Sequence, residues 1–173
     1  MMEKQIKKVI KDVVDFPKKG IIFKDVTPVF ADAAVFKKLI NALAKRYSGK
    51  KIDAIVGVES RGFIIGAPLA YKLGLPFVPV RKPGKLPRET YKEEYALEYG
   101  TNTLEIHKDA IKKGGKVIIV DDLLATGGTM EASAKLAERC GAKVAEMVFV
   151  VELDFLKGRE KLNNYKVYSI VHY

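Results

Sequence analysis

Apolar residues recur along the chain at two rhythms. Ile6, Val9, Ile10, Val13 and Val14 keep the spacing of a helix face, which predicts a helix over 4–14 ended by Phe16-Pro17. Lys18 to Pro28 reads as a turn and a short extended piece, punctuated by Gly20 and Pro28. Phe36, Leu39, Ile40 and Leu43 then restore the helical spacing behind Asp32, a residue suited to cap a helix start. From residue 52 the rhythm changes. IDAIVGV (52–58) is a β-branched run, apolar on both faces, as a strand inside a parallel sheet requires. Residues 62–73 predict a helix stopped by Gly74. PFVPVRK (76–82) predicts a strand, and Pro79, which has no N–H to donate, places it near an edge. KVIIV (116–120) and KVAEMVFVV (143–151) predict buried strands, with a helix from about Gly128 to Cys140 between them. KVYSIVHY (166–173) predicts a closing strand. Strands alternating with helices in this way predict an α/β fold with a parallel sheet.

Residues 82–106 interrupt the alternation. KPGKLPRETYKEEYALEYGTNTLEI is rich in Lys, Glu, Tyr and Pro. Tyr95, Leu97 and Tyr99 alternate before Gly100-Thr101-Asn102, and Leu104 and Ile106 after it, which predicts a long exposed β-ribbon. Connections of this length in compact domains serve as lids or binding loops.

Composition narrows the class. A chain of 173 residues suits one domain that buries roughly 70% of its unfolded surface. Hydrophobic content of 48% with dispersed charge argues against disorder. The net charge of +10 is scattered through nearly every segment, which favours an anionic substrate and a solvated surface over nucleic acid. Cys140 is the one cysteine, so neither an internal disulfide nor a clustered-thiol zinc site is expected, and a reducing cytoplasm is. The apolar runs fall far short of a membrane span, and the Met-Met-Glu-Lys start lacks the apolar region of a signal peptide.

The densest chemistry lies in VIIVDDLLATGGTM (117–130). A buried strand delivers Asp121 and Asp122 to its C-terminal edge, where open α/β sheets bind ligands. Ala125-Thr126-Gly127-Gly128-Thr129 then curls into a helix N-terminus that carries unpaired N–H groups and about half a positive charge, a cradle for a phosphate monoester. Neighbouring carboxylates need solvent, metal or hydroxyl donors. A ribose 5-phosphate satisfies both halves, with its phosphate in the loop and its hydroxyls on the acids. A Mg²⁺ ion bridging hydroxyls and acids would ease the charge. The bland alternative, an ordinary Gly-containing turn beside a solvated acidic pair, does not account for this order of residues. Neither a nucleoside-triphosphate loop nor a dinucleotide fingerprint is present. Glu59-Ser60-Arg61-Gly62 follows another buried strand. It is either a solvated turn or a pyrophosphate site made of backbone N–H groups and a guanidinium.

VIIVDDLLATGGTM closely resembles the phosphoribosyl-diphosphate (PRPP) motif of the type I phosphoribosyltransferases. FPKKGIIFKDVTP (16–28), VGVESRGFIIGAPLA (56–70), RKPGKLP (81–87), YALEYGTNTLEIHKDAI (95–111) and VELDFLKGREKL (151–162) are similar, in the same order, to segments of the members that use adenine. The resemblance implies a mostly parallel twisted sheet flanked by helices, an N-terminal hood over 1–34, and a core over 35–173 with a flexible lid at 82–106. It implies transfer of a phosphoribosyl group from PRPP to N9 of adenine, giving AMP and pyrophosphate for purine salvage, with Mg²⁺ as cofactor. A homodimer is the usual state of such proteins, and Phe63, Ile64 and Ala67 offer either a contact face or a part of the monomer core.

Roles for individual residues follow from the same resemblance. Asp121 and Asp122 hold the ribose, and Ala125, Thr126, Gly127, Gly128 and Thr129 the 5-phosphate. Arg61, a catalytic residue along with Glu98, faces pyrophosphate with Glu59, Ser60 and Lys85; Glu59 stands where the family often has Asp. Glu98 is the catalytic proton carrier, since adenine loses a proton as its nitrogen bonds to the sugar. Tyr99 covers the site. Phe23 stacks on the base while backbone groups near Ile22 and Lys24 read its edge; Lys24 stands where some relatives carry Arg. Mg²⁺ is expected mainly on PRPP, pyrophosphate and water, with Asp121 or Asp122 as the protein contact. Two other readings remain open at this point: a different purine base, and a regulator that senses PRPP and binds nucleic acid. The hood and the LEYG segment favour adenine. No helix-turn-helix or basic arm supports the regulator.

Overall fold

The computed structural model describes residues 2–16, 18–96 and 100–173. The chain opens with α1 (Met2–Val9), the hairpin strands β1 (Lys11–Val14) and β2 (Ile22–Asp25), then α2 (Thr27–Ala31) and α3 (Ala33–Tyr47). β3 (Ala54–Val58), α4 (Arg61–Leu73) and β4 (Phe77–Val80) follow. The ribbon β5 (Thr90–Ala96) and β6 (Thr101–His107) leads to β7 (Lys116–Leu124), α5 (Gly128–Arg139) and β8 (Lys143–Glu152). A 3-10 turn at Asp154–Leu156, α6 (Gly158–Lys161) and β9 (Val167–His172) complete the fold.

The core is a parallel sheet in the order β4-β3-β7-β8-β9. Its strands are apolar on both faces because both faces are covered. Ile55, Ile118, Val120 and Val148 pack against α1, α3 and α4. Val56, Val117, Ile119, Met147 and Phe149 pack against α5 and the ribbon. Each large aliphatic side chain taken fully from water contributes about 1.5–3 kcal/mol, so two-sided burial is the main force holding the strands in place. Local signals set the boundaries. Asp32 Oδ1 accepts from the N–H groups of Ala34 and Val35 at 3.0 Å each and starts α3. Gly74, at a left-handed φ of 65°, ends α4. Pro79 sits in β4, an edge strand.

Two expectations change. The helix over 4–14 stops at Val9, and residues 11–14 are a strand paired antiparallel with β2, Val13 opposite Phe23 and Val14 opposite Ile22. β-Branched valines gain cross-strand partners there, which a local periodicity cannot reveal. The ribbon forms in the expected place, with Tyr95 opposite Asn102, but it is not an exposed excursion along its length. Leu104 and Ile106 are buried in the core cluster under α5. Arg139 on α5 donates to the Lys92 carbonyl at 2.6 Å and lies over the Tyr91 ring at 4.7 Å.

Candidate active site at the sheet edge

β3 and β7 run side by side until Gly57 meets Val120, and β3 then ends. β7 continues to Leu124 beside β8. The chain leaves β3 towards β4 on one side, while β7 lies on the other, and this reversal of strand order opens a crevice at the strands' carboxyl ends. A cleft of about 470 Å³ occupies it, between the Glu59–Arg61 turn, Lys82, Tyr95 and the segment from Asp121 to Thr129.

Glycine packing brings the charged groups together. A Cβ at Gly62 would lie 2.5 Å from the Val120 carbonyl oxygen, so only glycine lets α4 begin this close to β7. Arg61, the first residue of α4, thereby places Nε 2.8 Å from Asp122 Oδ2. Asp122 is 2% exposed, and this oxygen receives no well-directed hydrogen bond among the described residues, so the contact is an ion pair only. Asp121 is half-buried and its Oδ1 accepts from the Asp122 N–H at 2.9 Å. Burial, then the charge of Asp122, holds the Asp121 carboxyl well above the ordinary range. Burial also raises Asp122, against the pull of Arg61. A paired acid site short of donors suits hydroxyl groups or a hard cation.

Beyond Leu124 the backbone turns through Gly127 at a φ of 84° into α5. Among the described residues no side chain caps that helix, and its first turn borders the cleft, which leaves N–H groups there for an anion. Ala125, Thr126, Gly127 and Thr129 line the cleft. Gly128 is buried against the ribbon; a Cβ there would meet Ala96 O and Tyr95 Cδ2, each at 3.3 Å.

The pyrophosphate candidates divide. Ser60 and Arg61 line the cleft, and the Glu59–Ser60 peptide is cis. Glu59 also borders it, but its carboxylate accepts from the Lys82 N–H at 2.9 Å and from Arg81 Nε at 3.2 Å. Burial alone would raise the Glu59 carboxyl, yet these bonds hold it below the usual range. Lys82 lines the cleft, whereas Lys85 is exposed and its carbonyl accepts from Arg81 Nη1 at 3.3 Å. The hood residues Ile22, Phe23 and Lys24 lie on β2, away from the cleft wall. Phe23 meets Phe16 edge-on at 5.2 Å, and Lys24 Nζ is held by Asp12 at 2.7 Å and the Tyr173 ring at 4.2 Å. Glu98 and Tyr99, like Pro17 and Leu97, lie outside the described residues.

Residues 29–172 match the family model described as the phosphoribosyl transferase domain. An adenine phosphoribosyltransferase of Geotalea uraniireducens is 59% identical over 169 residues, covering 98% of this chain and 99% of that protein. The chain belongs to the adenine phosphoribosyltransferase family. The crystal structure of the Thermoanaerobacter pseudethanolicus member of the family superimposes with a TM-score of 0.95 at 57% identity, covering all (100%) of both chains. The Saccharomyces cerevisiae member, solved with adenine and an imino-altritol bisphosphate, gives 0.92 at 47% identity over 98% of each chain.

Two neighbours of the family's PRPP motif escaped the sequence reading. Tyr95 walls the cleft from the ribbon, a placement that depends on how the ribbon docks. Gly158 lies directly beneath the 125–127 turn. Its only local signal is a glycine opening a helix too short to show periodicity.

Proposed function

We propose that the cleft holds PRPP and that the hood presents adenine to it. The chain transfers the 5-phosphoribosyl group of PRPP to N9 of adenine, giving AMP and pyrophosphate in purine salvage. The observation that carries the site assignment is the meeting of Asp121, Asp122 and Arg61 with the uncapped N-terminus of α5 at one sheet edge. One ligand that brings a diol and a phosphate answers both.

In the reaction the bond from C1′ to pyrophosphate breaks, charge builds on the sugar ring, and the bond from N9 to C1′ forms. The chemistry parallels glycoside cleavage through an oxocarbenium-like transition state. Asp121 and Asp122 orient the ribose through its hydroxyls, and residues 125–129 fix the 5-phosphate. Arg61 and Lys82, with Lys85 from the loop beyond, stabilise the leaving pyrophosphate. Glu59 keeps the Arg81-Lys82 backbone against the cleft instead of touching the anion. The proton on N9 passes to Glu98, and Tyr99 with the ribbon excludes water from the reacting carbon. The oxygen donors of Asp121 and Asp122 fit Mg²⁺, with Asp121 the more open of the two because the Arg61 guanidinium already faces Asp122 Oδ2 at 2.8 Å. When bound, the ion neutralises charge on the pyrophosphate.

The hood supplies an apolar surface for the base: Ile21 and Ile22 are exposed beside Phe23. β2 pairs only with β1 among the described residues, so its other backbone edge is open to read a purine. Lys24 contributes backbone groups, its side chain being taken by Asp12 and Tyr173. Assay of adenine, hypoxanthine, guanine and xanthine with PRPP and Mg²⁺ tests the reading. Adenine alone should give rapid turnover; comparable turnover with an oxopurine, or none with adenine, would overturn it.

A homodimer in the cytoplasm is the expected setting. Ile64 and Ala67 are exposed on α4, as is Tyr71 at 90%, whereas Phe63 turns inward onto Phe77 at 5.7 Å. Among the described residues no helix is long and apolar enough to cross a membrane. Light scattering should give twice the chain mass, and Ile64→Glu with Tyr71→Glu should give one chain mass. A wild-type monomer, or a dimer undisturbed by those changes, would remove α4 from the interface.

A further inference from the structure

The turn that would hold the 5-phosphate rests on another turn. A Cβ at Gly158 would lie 2.1 Å from the Ala125 carbonyl oxygen, and a Cβ at Gly127 would lie 2.5 Å from the Gly158 carbonyl oxygen. Backbone touches backbone, with no side chain between to absorb a shift, so the place of residue 158 sets the place of residues 125–127. α6, which Gly158 opens, spans only Gly158–Lys161 and is too short to be stable alone.

Arg159 supplies the anchor. Its Nε and Nη2 donate to the two oxygens of Glu152 at 2.9 and 2.5 Å, and Nη1 donates to the Val167 carbonyl at 3.1 Å. Ser169 Oγ donates to Glu152 Oε2 at 2.5 Å. Glu152 is the last residue of β8 and is buried, so the sheet fixes its carboxylate. The Leu153 N–H donates to the Leu124 carbonyl at 3.0 Å, tying the same point to the end of β7. Asp154 and His172 complete an acid-and-imidazole cluster with Glu152, yet the Arg159 fork fills both Glu152 oxygens and opposes a cation. The cluster is a lock, not a metal site.

We propose that Arg159, clamped by Glu152 and Ser169, is a positioning unit for the phosphate turn. It touches no substrate and acts through Gly158. The inference rests on the assignment of residues 125–129 to the 5-phosphate.

Titration calorimetry with ribose 5-phosphate and, separately, with pyrophosphate tests it, on wild type, Arg159→Lys, Arg159→Ala, Ser169→Ala and the surface control Lys161→Ala. Thermal melts and steady-state kinetics accompany each variant. Arg159→Ala should weaken ribose 5-phosphate and raise KM for PRPP by about tenfold or more, while pyrophosphate affinity and kcat at saturating PRPP change by less than about twofold. Arg159→Lys keeps the charge but loses the fork, so it should fall between wild type and Arg159→Ala. If Arg159→Ala does not fold, Arg159→Lys and Ser169→Ala carry the test. Variants that bind ribose 5-phosphate like wild type would overturn the positioning role. So would equal weakening of ribose 5-phosphate and pyrophosphate, which marks general loosening. A wild-type protein that binds no ribose 5-phosphate would instead overturn the phosphate-turn assignment itself.

Discussion

At the end of β7, two carboxylates sit side by side where folding alone would not put them. Burial and then the neighbouring charge raise Asp121; burial raises Asp122 in spite of Arg61. A carboxyl raised in the folded chain makes that state bind more protons than the unfolded one. Stability therefore falls as pH climbs from the ordinary carboxylate range through the raised values. At neutral pH the pair lowers stability. Asp121→Asn should thus melt above wild type at neutral pH, with the gap narrowing as the pH drops towards 4. The same variant should bind ribose 5-phosphate more weakly. A lower melting point at neutral pH, read by scanning fluorimetry, would contradict this origin of the shift. The acids and Gly127 were legible in the sequence because their signals are local: the close of an apolar run, a permissive φ, a helix start. The pairing of Arg61 with Asp122 was not, since it depends on Gly62 meeting Val120 across the sheet.

Strands buried on both faces and the two long helices behind them announced themselves: β3, β8, α3 and α4 fall where the apolar pattern put them, while β7 runs on past Val120 to Leu124 and takes Asp121 and Asp122 into the strand. Elements whose partners are distant did not. β1 looked like the last turns of α1 because its valines continue the helical spacing, and only pairing with β2 reveals a strand. The ribbon was foreseen as a ribbon, but its docking on α5 was not. Arg139 is the visible staple, through Lys92 and Tyr91, with Glu93 near both Arg139 and Lys135 at 3.6 and 3.8 Å. These exposed ion pairs contribute about 0–1 kcal/mol each, so the directed bond to the Lys92 carbonyl matters more. Arg139→Ala should raise amide hydrogen exchange across β5 and β6 while leaving β7 and β8 unchanged. Equal protection in the ribbon would mean that the buried Leu104 and Ile106 hold it without the staple.

Over the whole molecule, the reversal of strand order between β3 and β7 decides where a ligand goes, and the chain spends its special residues there. The chain carries a net charge of +10 and a cleft that holds an acidic pair. That combination suits the proposed ligand, a polyanion that also brings hydroxyls. The ribbon reaches the cleft through Tyr95, whereas the β2 residues lie away from its wall, which is why the choice of base could be read only from resemblance and the sugar site from chemistry. A crystal structure of the protein with AMP bound measures the arrangement most directly. Its phosphate should lie against the backbone N–H groups of residues 126–129, with both ribose hydroxyls within hydrogen-bond distance of Asp121 and Asp122. A phosphate bound elsewhere, or a ribose turned away from those acids, would contradict the assignment.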